Sequence, residues 1–280
     1  MRKLLFFACM TLCIASCSKG NGVAKSETNG DAIEEVSSNL ATDSAKDSLT
    51  IREGKHDLTA TIKIVAPTGN EALTASIIKM IKETLEMKGD ADATDIKTLA
   101  HAFVTNKVEE LKEDVFYEGE DPDGPPLNYD VVIEVLYEND EIITMSVDQD
   151  VYLGGPHGSY LVKGVTFNKA DGKVLGTNIL AQDKIEDVKK AVSGGLVEFF
   201  KDLMGEEYSD EESPMTDENG KQKIVDLPES GIYINNDSVV FQYQQYEVAP
   251  YAFGLPATSF SLKEMKENGW LSEEFSKTIE

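Results

Sequence analysis

Two short stretches of this chain concentrate side chains that could engage a ligand. The first is Tyr152-Leu-Gly-Gly-Pro-His-Gly-Ser-Tyr160, where His157 sits among glycines. Such glycines let a ligand approach the backbone closely, and an imidazole both donates and accepts hydrogen bonds. The second is Tyr243-Gln-Gln-Tyr-Glu-Val-Ala-Pro-Tyr-Ala-Phe-Gly254, in which Tyr246, Tyr251 and Phe253 surround Pro250. Aromatic side chains with a polar tip suit contact surfaces for sugars or proteins. His157, Tyr160, Tyr246, Tyr251 and Phe253 are therefore the candidate ligand-binding residues. Each has a plainer reading. His157 would be a structural turn residue, since turn glycines answer first to backbone geometry. The aromatics would fill a core, against which Pro250 argues for an exposed bend.

Catalysis finds less support in the residue pattern. The three histidines, His56, His101 and His157, are far apart, with no HExxH or paired metal-ligand motif. There is no GxSxG elbow and no GxGxxG or Walker sequence. Carboxylates are so abundant that any fold would pair some of them, so their presence identifies nothing. No catalytic residue, metal or cofactor is expected. The acidic run Gly205 to Gly220 lacks EF-hand spacing and reads as a solvated loop, with a weak cation site as the alternative.

A third chemistry lies near the N-terminus. Arg2 and Lys3 precede a mostly apolar stretch, Leu4 to Ile14, of the length of a signal h-region rather than a membrane span. Ile14-Ala15-Ser16-Cys17 resembles the bacterial lipobox, in which small residues precede a cysteine that receives acyl chains. Each buried methylene of such a chain contributes ~0.8 kcal/mol to membrane anchoring. Cys17 is thus the expected site of lipid (palmitate) attachment, in a lipoprotein of the Bacteroidetes type. An ordinary secretory signal that leaves Cys17 as a free thiol is the alternative. Ser18 stands where Asp often marks inner-membrane retention, which favours an outer-membrane address and leaves the periplasmic or surface face open. Cys9 and Cys13 would leave with the leader, so the mature chain would form no disulfide.

The formal charge of −25 makes nucleic acid a poor partner, because phosphate binding needs clustered Lys and Arg. An acidic surface steers cationic partners, although net charge speaks first to solubility.

These candidates must be held by a fold whose elements are legible in the hydrophobic pattern. Residues 1–16 form the leader. Residues 17–56 are poor in aromatics and rich in small polar residues, and are expected to be a disordered tether reaching on the order of 35 Å. Apolar alternation predicts a strand over Asp57–Pro67. Helical spacing predicts a helix capped by Asn70 and ended by Gly89, then a second over Asp92–Phe116. Pro and Gly make Glu118–Pro126 a loop. Strands follow at Asn128–Tyr137, Glu141–Tyr152 and Tyr160–Phe167, with a turn at Asp171-Gly172. A helix over Ala181–Met204 contains Gly194-Gly195. A hairpin over Ile232–Tyr243, a strand over Ala257–Phe260 and a helix from Ser261 close the chain. The expected fold is α+β, with two packed subdomains of mainly antiparallel sheet and flanking helices: an N-terminal domain over 57–155 and a C-terminal one over 156–280.

The two stretches quoted at the outset also carry a family resemblance. Together with Thr166-Phe167-Asn168 they resemble the paired domains of unknown function of the 3298/4163 type. Those domains occur in the ectodomain of the anti-sigma factor RsiV and ahead of the catalytic domain of the deacetylase PdaC. There a Gly-Gly-Ala-His turn, a Thr-Phe-Asn strand and a Tyr-Glu-Ile-Ala-Pro-Tyr-Ala-x-Gly segment recur. Pro156 replaces the family's Ala, which makes the turn match less close. The resemblance runs from Asp57 to Leu271 and implies a mixed α+β fold without catalysis. RsiV-like ectodomains bind lysozyme, and the PdaC-like context implies envelope or glycan association.

The leading expectation is a lipid-anchored extracytoplasmic binding module for lysozyme-like cationic proteins or peptidoglycan. An envelope hydrolase or deacetylase using carboxylates with His157 is one alternative. A structural lipoprotein without a soluble ligand is the other.

Overall fold

A computed structural model describes residues 40–53, 56–87, 93–116, 126–229 and 231–279. The leader, Cys17, most of the expected tether, Gly89 and nearly all of the Glu118–Pro126 loop lie outside the described residues.

Strict alternation along β2 (His56–Pro67) puts Leu58, Ala60, Ile62 and Ile64 on one face, each fully buried. That strand is the second of a five-stranded sheet in the order β1-β2-β3-β4-β5, completed by β1 (Thr42–Glu53), β3 (Leu127–Glu138), β4 (Ile142–Tyr152) and β5 (Ser159–Asn168). All neighbours are antiparallel except β2 and β3. A parallel pair needs a crossover, and α1 (Glu71–Thr84) and α2 (Ile96–Phe116) supply it. Their apolar stripes, among them Leu73, Ile77, Ile81, Leu99, Phe103 and Val108, close the first core against that face. Asn70 caps α1 by accepting from the Leu73 N–H at 3.0 Å, and its amide donates to the Lys169 carbonyl at 2.8 Å.

The second face of the sheet is polar along most of its length, but near one end it carries another layer. Here α3 (Ile185–Met204) packs on a three-stranded sheet of β6 (Ile232–Asn235), β7 (Ser238–Gln242) and β8 (Ala257–Ser261). Val188, Val192, Leu196 and Phe200 of the helix meet Ile234, Val239 and Phe241 in a second core. Gly195 is needed at the crossing, since a Cβ there would sit 2.1 Å from Thr258 Oγ1. Ser261 caps α4 (Leu262–Glu267), and Ser272 caps α5 (Glu273–Thr278), an element absent from the sequence-based reading.

The layers are joined by a buried threonine pair. Thr144 donates to the Ile234 carbonyl at 2.7 Å, the Ile234 N–H donates to Thr166 Oγ1 at 2.8 Å, and the two hydroxyls are 2.8 Å apart. Both threonines are fully buried, so the backbone of β6 finds its partners on the face of another sheet.

The α+β class stands as expected, as does the order of elements from β2 to α4. Two boundaries are corrected. The tether does not extend to residue 56, because Thr42–Glu53 pairs with β2 over its whole length and Ala45, Leu49 and Ile51 pack toward the core. Only Ala45, Leu49 and Ile51 of its twelve residues are apolar and none is aromatic, so its composition is that of a linker. The division at 155/156 also fails. It would split the β4–β5 hairpin, whose register runs from Val151↔Ser159 to Ile142↔Asn168, and Val36–Glu280 form one compact unit.

Candidate functional site

The glycine turn and the Tyr243–Gly254 segment, some 90 residues apart in the chain, meet at the outer edge of β5. Between β4 and β5, Gly154 and Gly155 take φ of 95° and 82°, which L side chains resist. Tyr152 donates to the Gly155 carbonyl at 3.1 Å, bracing the turn. A Cβ on Gly158 would lie 2.8 Å from the Val151 carbonyl oxygen. His157 Nδ1 is 2.9 Å from the Gly158 carbonyl, so it carries the proton and donates.

The second segment is held from below. Tyr243 is buried and donates to the Asp226 carbonyl at 2.8 Å, and burial pushes its phenol far above the usual range. Pro250 then starts a single 3-10 turn, Tyr251–Phe253, which Gly254 ends at φ 70°. Phe253 turns inward onto Phe200, with ring centroids 5.3 Å apart and nearly perpendicular.

Gln244 and Gln245 lock the two segments together. The Val162 N–H donates to Gln244 Oε1 at 3.3 Å, and Gln244 Nε2 donates to the Val162 carbonyl at 2.8 Å. The Tyr160 N–H donates to Gln245 Oε1 at 3.2 Å. Side-chain amides thus stand in for a neighbouring strand along this part of the edge.

Above that joint the rings assemble. His157 stacks on Tyr251 at 3.9 Å and 21°, and Tyr246 lies 6.1 Å from Tyr251. Tyr246 is 66% exposed and Tyr160 48%. Tyr246 also has φ 66°, a left-handed conformation that a bulky residue adopts at a cost. Across the sheet, Asp150 pairs in register with Tyr160 and Asp130 with Asp150. The Asp150 carboxylate, with some burial, raises the Tyr160 phenol above its usual range; burial and then Asp130 raise the Asp150 carboxyl.

Four of the five candidates, His157, Tyr160, Tyr246 and Tyr251, therefore share one surface, while Phe253 belongs to the core beneath it. Gln244, Gln245 and Asp150 were missed. Asp150 could have been found, since hairpin register alone sets it opposite Tyr160. The surface offers π faces and phenols beside a carboxylate. His157 touches a carbonyl and a ring, and has no carboxylate partner among the described residues. No group of three or more metal-ligating side chains occurs among the described residues either, the acidic 205–220 segment included. That segment is pinned by Met215, buried in the second core.

Comparison with known proteins bears on the same region. Residues 177–263 match DUF3298, a family of proteins of unknown function. The DUF3298 match takes in α3, the three-stranded sheet and the Tyr243–Gly254 segment, but not the glycine turn. Two solved structures resemble the whole fold. A member of the family from Bacteroides fragilis NCTC 9343 aligns with a TM-score of 0.64 at 16% identity, over 87% of this chain and 99% of that one. A DUF3298 family protein from Pseudomonas aeruginosa PAO1 aligns with a TM-score of 0.57 at 12% identity, over 86% of this chain and 98% of that one. Their near-complete coverage means that the five-stranded sheet accompanies the DUF3298 layer in those proteins too. No curated protein matches.

Proposed function

We propose that this protein is a lipid-anchored extracytoplasmic binding module that captures cationic proteins acting on the cell envelope, with lysozyme as the representative ligand. The observation that carries this reading is Tyr246. It is a large aromatic side chain, two-thirds exposed, on a strained left-handed backbone, beside the stacked His157–Tyr251 pair. Strain at an exposed aromatic has no packing reward and fits a contact residue. Acidic groups complete the chemistry, since Asp150 lies beside Tyr160 and the chain as a whole carries a charge of −25. Lysine and arginine side chains would find both ring faces and carboxylates here. The resemblance to lysozyme-binding ectodomains points the same way.

Calorimetric titration with lysozyme at low and moderate salt tests the reading. Binding that weakens with salt and falls at least about tenfold in Tyr246→Ala is expected. Absence of binding at both salt concentrations sinks it. The anchor is tested separately by radiolabelled palmitate, which Cys17→Ser should fail to incorporate. No helix among the described residues is long and apolar enough to cross a membrane.

A further inference from the structure

The outer edge of β5 is closed at two places and open between them. Even-numbered residues of β5 direct their backbone groups away from β4, as the bonds of Tyr160 and Val162 to the glutamines demonstrate. At the other end, the Thr166 carbonyl accepts from the Leu175 N–H at 2.9 Å, and the Asn168 N–H donates to the Lys173 carbonyl at 2.9 Å. Gly164 lies midway. By the same alternation its N–H and C=O face outward, and among the described residues neither has a hydrogen-bond partner.

These groups open into a cavity of about 550 Å³ between α1, β5 and the segment leading into β6. That volume lies in the range of small-ligand sites. Its charged lining is Lys79, Glu83, Lys163, Lys173 and Glu229. Lys79 pairs with Glu83 at 3.7 Å and Lys173 with Asp171 at 3.0 Å. Lys163 is different. It is half-buried, its ammonium contacts the Thr84 hydroxyl at 3.1 Å, and it forms no ion pair among the described residues. Burial lowers its pKa, and the Glu83 carboxylate across the cavity opposes this only in part.

We propose that this cavity binds a short peptide bearing a free carboxylate. The peptide's backbone would pair with the N–H and C=O of Gly164, and its carboxylate would rest on Lys163. The plugs at Val162 and Thr166 limit the ligand's length. Four residues of extended chain span only ~13 Å, so two or three residues fit and a full added strand does not. Met80, Val174, Pro228 and Ile232 supply the apolar wall. This site is separate from the aromatic surface and stands or falls independently of it.

Tri-alanine and its C-terminal amide are the probes, titrated into the full chain by calorimetry and by NMR of the Gly164 amide. The free acid should bind saturably and shift that resonance, and the amide should bind at least about tenfold more weakly. Lys163→Met should remove the preference for the acid, Lys163→Arg should keep it, and Tyr246→Ala should bind tri-alanine as the parent does. Equal binding of acid and amide, an unaltered preference in Lys163→Met, or no saturation of either probe by roughly 10 mM overturns the proposal.

Discussion

The second face of the large sheet is used in two ways along one strand. At Thr144 it is a seam, fully buried, with each hydroxyl and the backbone of Ile234 bonded across the layers. Further along β4, at Asp150 and its neighbour Tyr160, it is exposed, and the joint is made by glutamine side chains beneath uncovered rings. Between them burial falls steadily through Ser146 and Asp148. The seam holds the layers because the Thr144 and Thr166 hydroxyls and the Ile234 backbone are all hydrogen-bonded across it. The aromatic surface keeps exposed rings and a strained tyrosine, as a contact surface requires.

Breaking the seam should have the largest effect. Gly164→Val drives side-chain atoms into the ring of Tyr233, whose phenol burial, then Asp148, already pushes up to about 12. Overpacking of this kind should cost about 3 kcal/mol, read as a lower urea midpoint. Thr144→Val comes next. It keeps the shape but leaves the buried Ile234 carbonyl without its donor, and a loss of about 1–3 kcal/mol with an unchanged m-value is expected. An unchanged midpoint in either variant would mean that the layers are not joined here.

Much of this contrast could be read from residues, and some of it could not. Binary patterns gave β2 through β5, both sheet-covering helices and the Asn70 cap, because each element repeats its apolar residues at its own period. β1 was hidden, since its outward positions Ser44, Lys46, Ser48 and Thr50 are what a linker would carry. Gly195 is a poor helix former by propensity, and only the packing of Thr258 against it explains its place in α3. The clustering of His157 with Tyr251 followed only from the fold, because no local rule links positions 94 residues apart. Phe253 shows the limit of reading an aromatic run: two residues after Tyr251, the 3-10 turn points it inward.

The aromatic surface should respond in the opposite sense to the seam. Tyr246→Gly removes the exposed ring and relieves the left-handed strain, so stability should rise by up to about 1 kcal/mol. Lysozyme binding should fall in the same variant. A gain in thermal midpoint with a loss of affinity is the pattern of a residue kept for contact. A loss of both would assign Tyr246 to packing and return the surface to a structural role.

Asp148 lies where the two regimes meet and offers the smallest and most pH-specific test. Its carboxyl is raised above the usual range chiefly by burial, opposed by a hydrogen bond from Ser146 and reinforced by Glu134. In the interval between the usual and the raised pKa, the folded chain holds a proton that the unfolded chain has released. The stability this gives is complete below the usual carboxylate range and is lost as pH rises through the raised value. Asp148→Asn titrates nothing at that position. The variant should therefore gain on the parent as pH rises from about 3.5 to 7, with the difference shrinking toward zero in acid. A difference between parent and variant that is independent of pH would mean that burial does not disfavour the Asp148 carboxylate, and that the seam ends at Ser146.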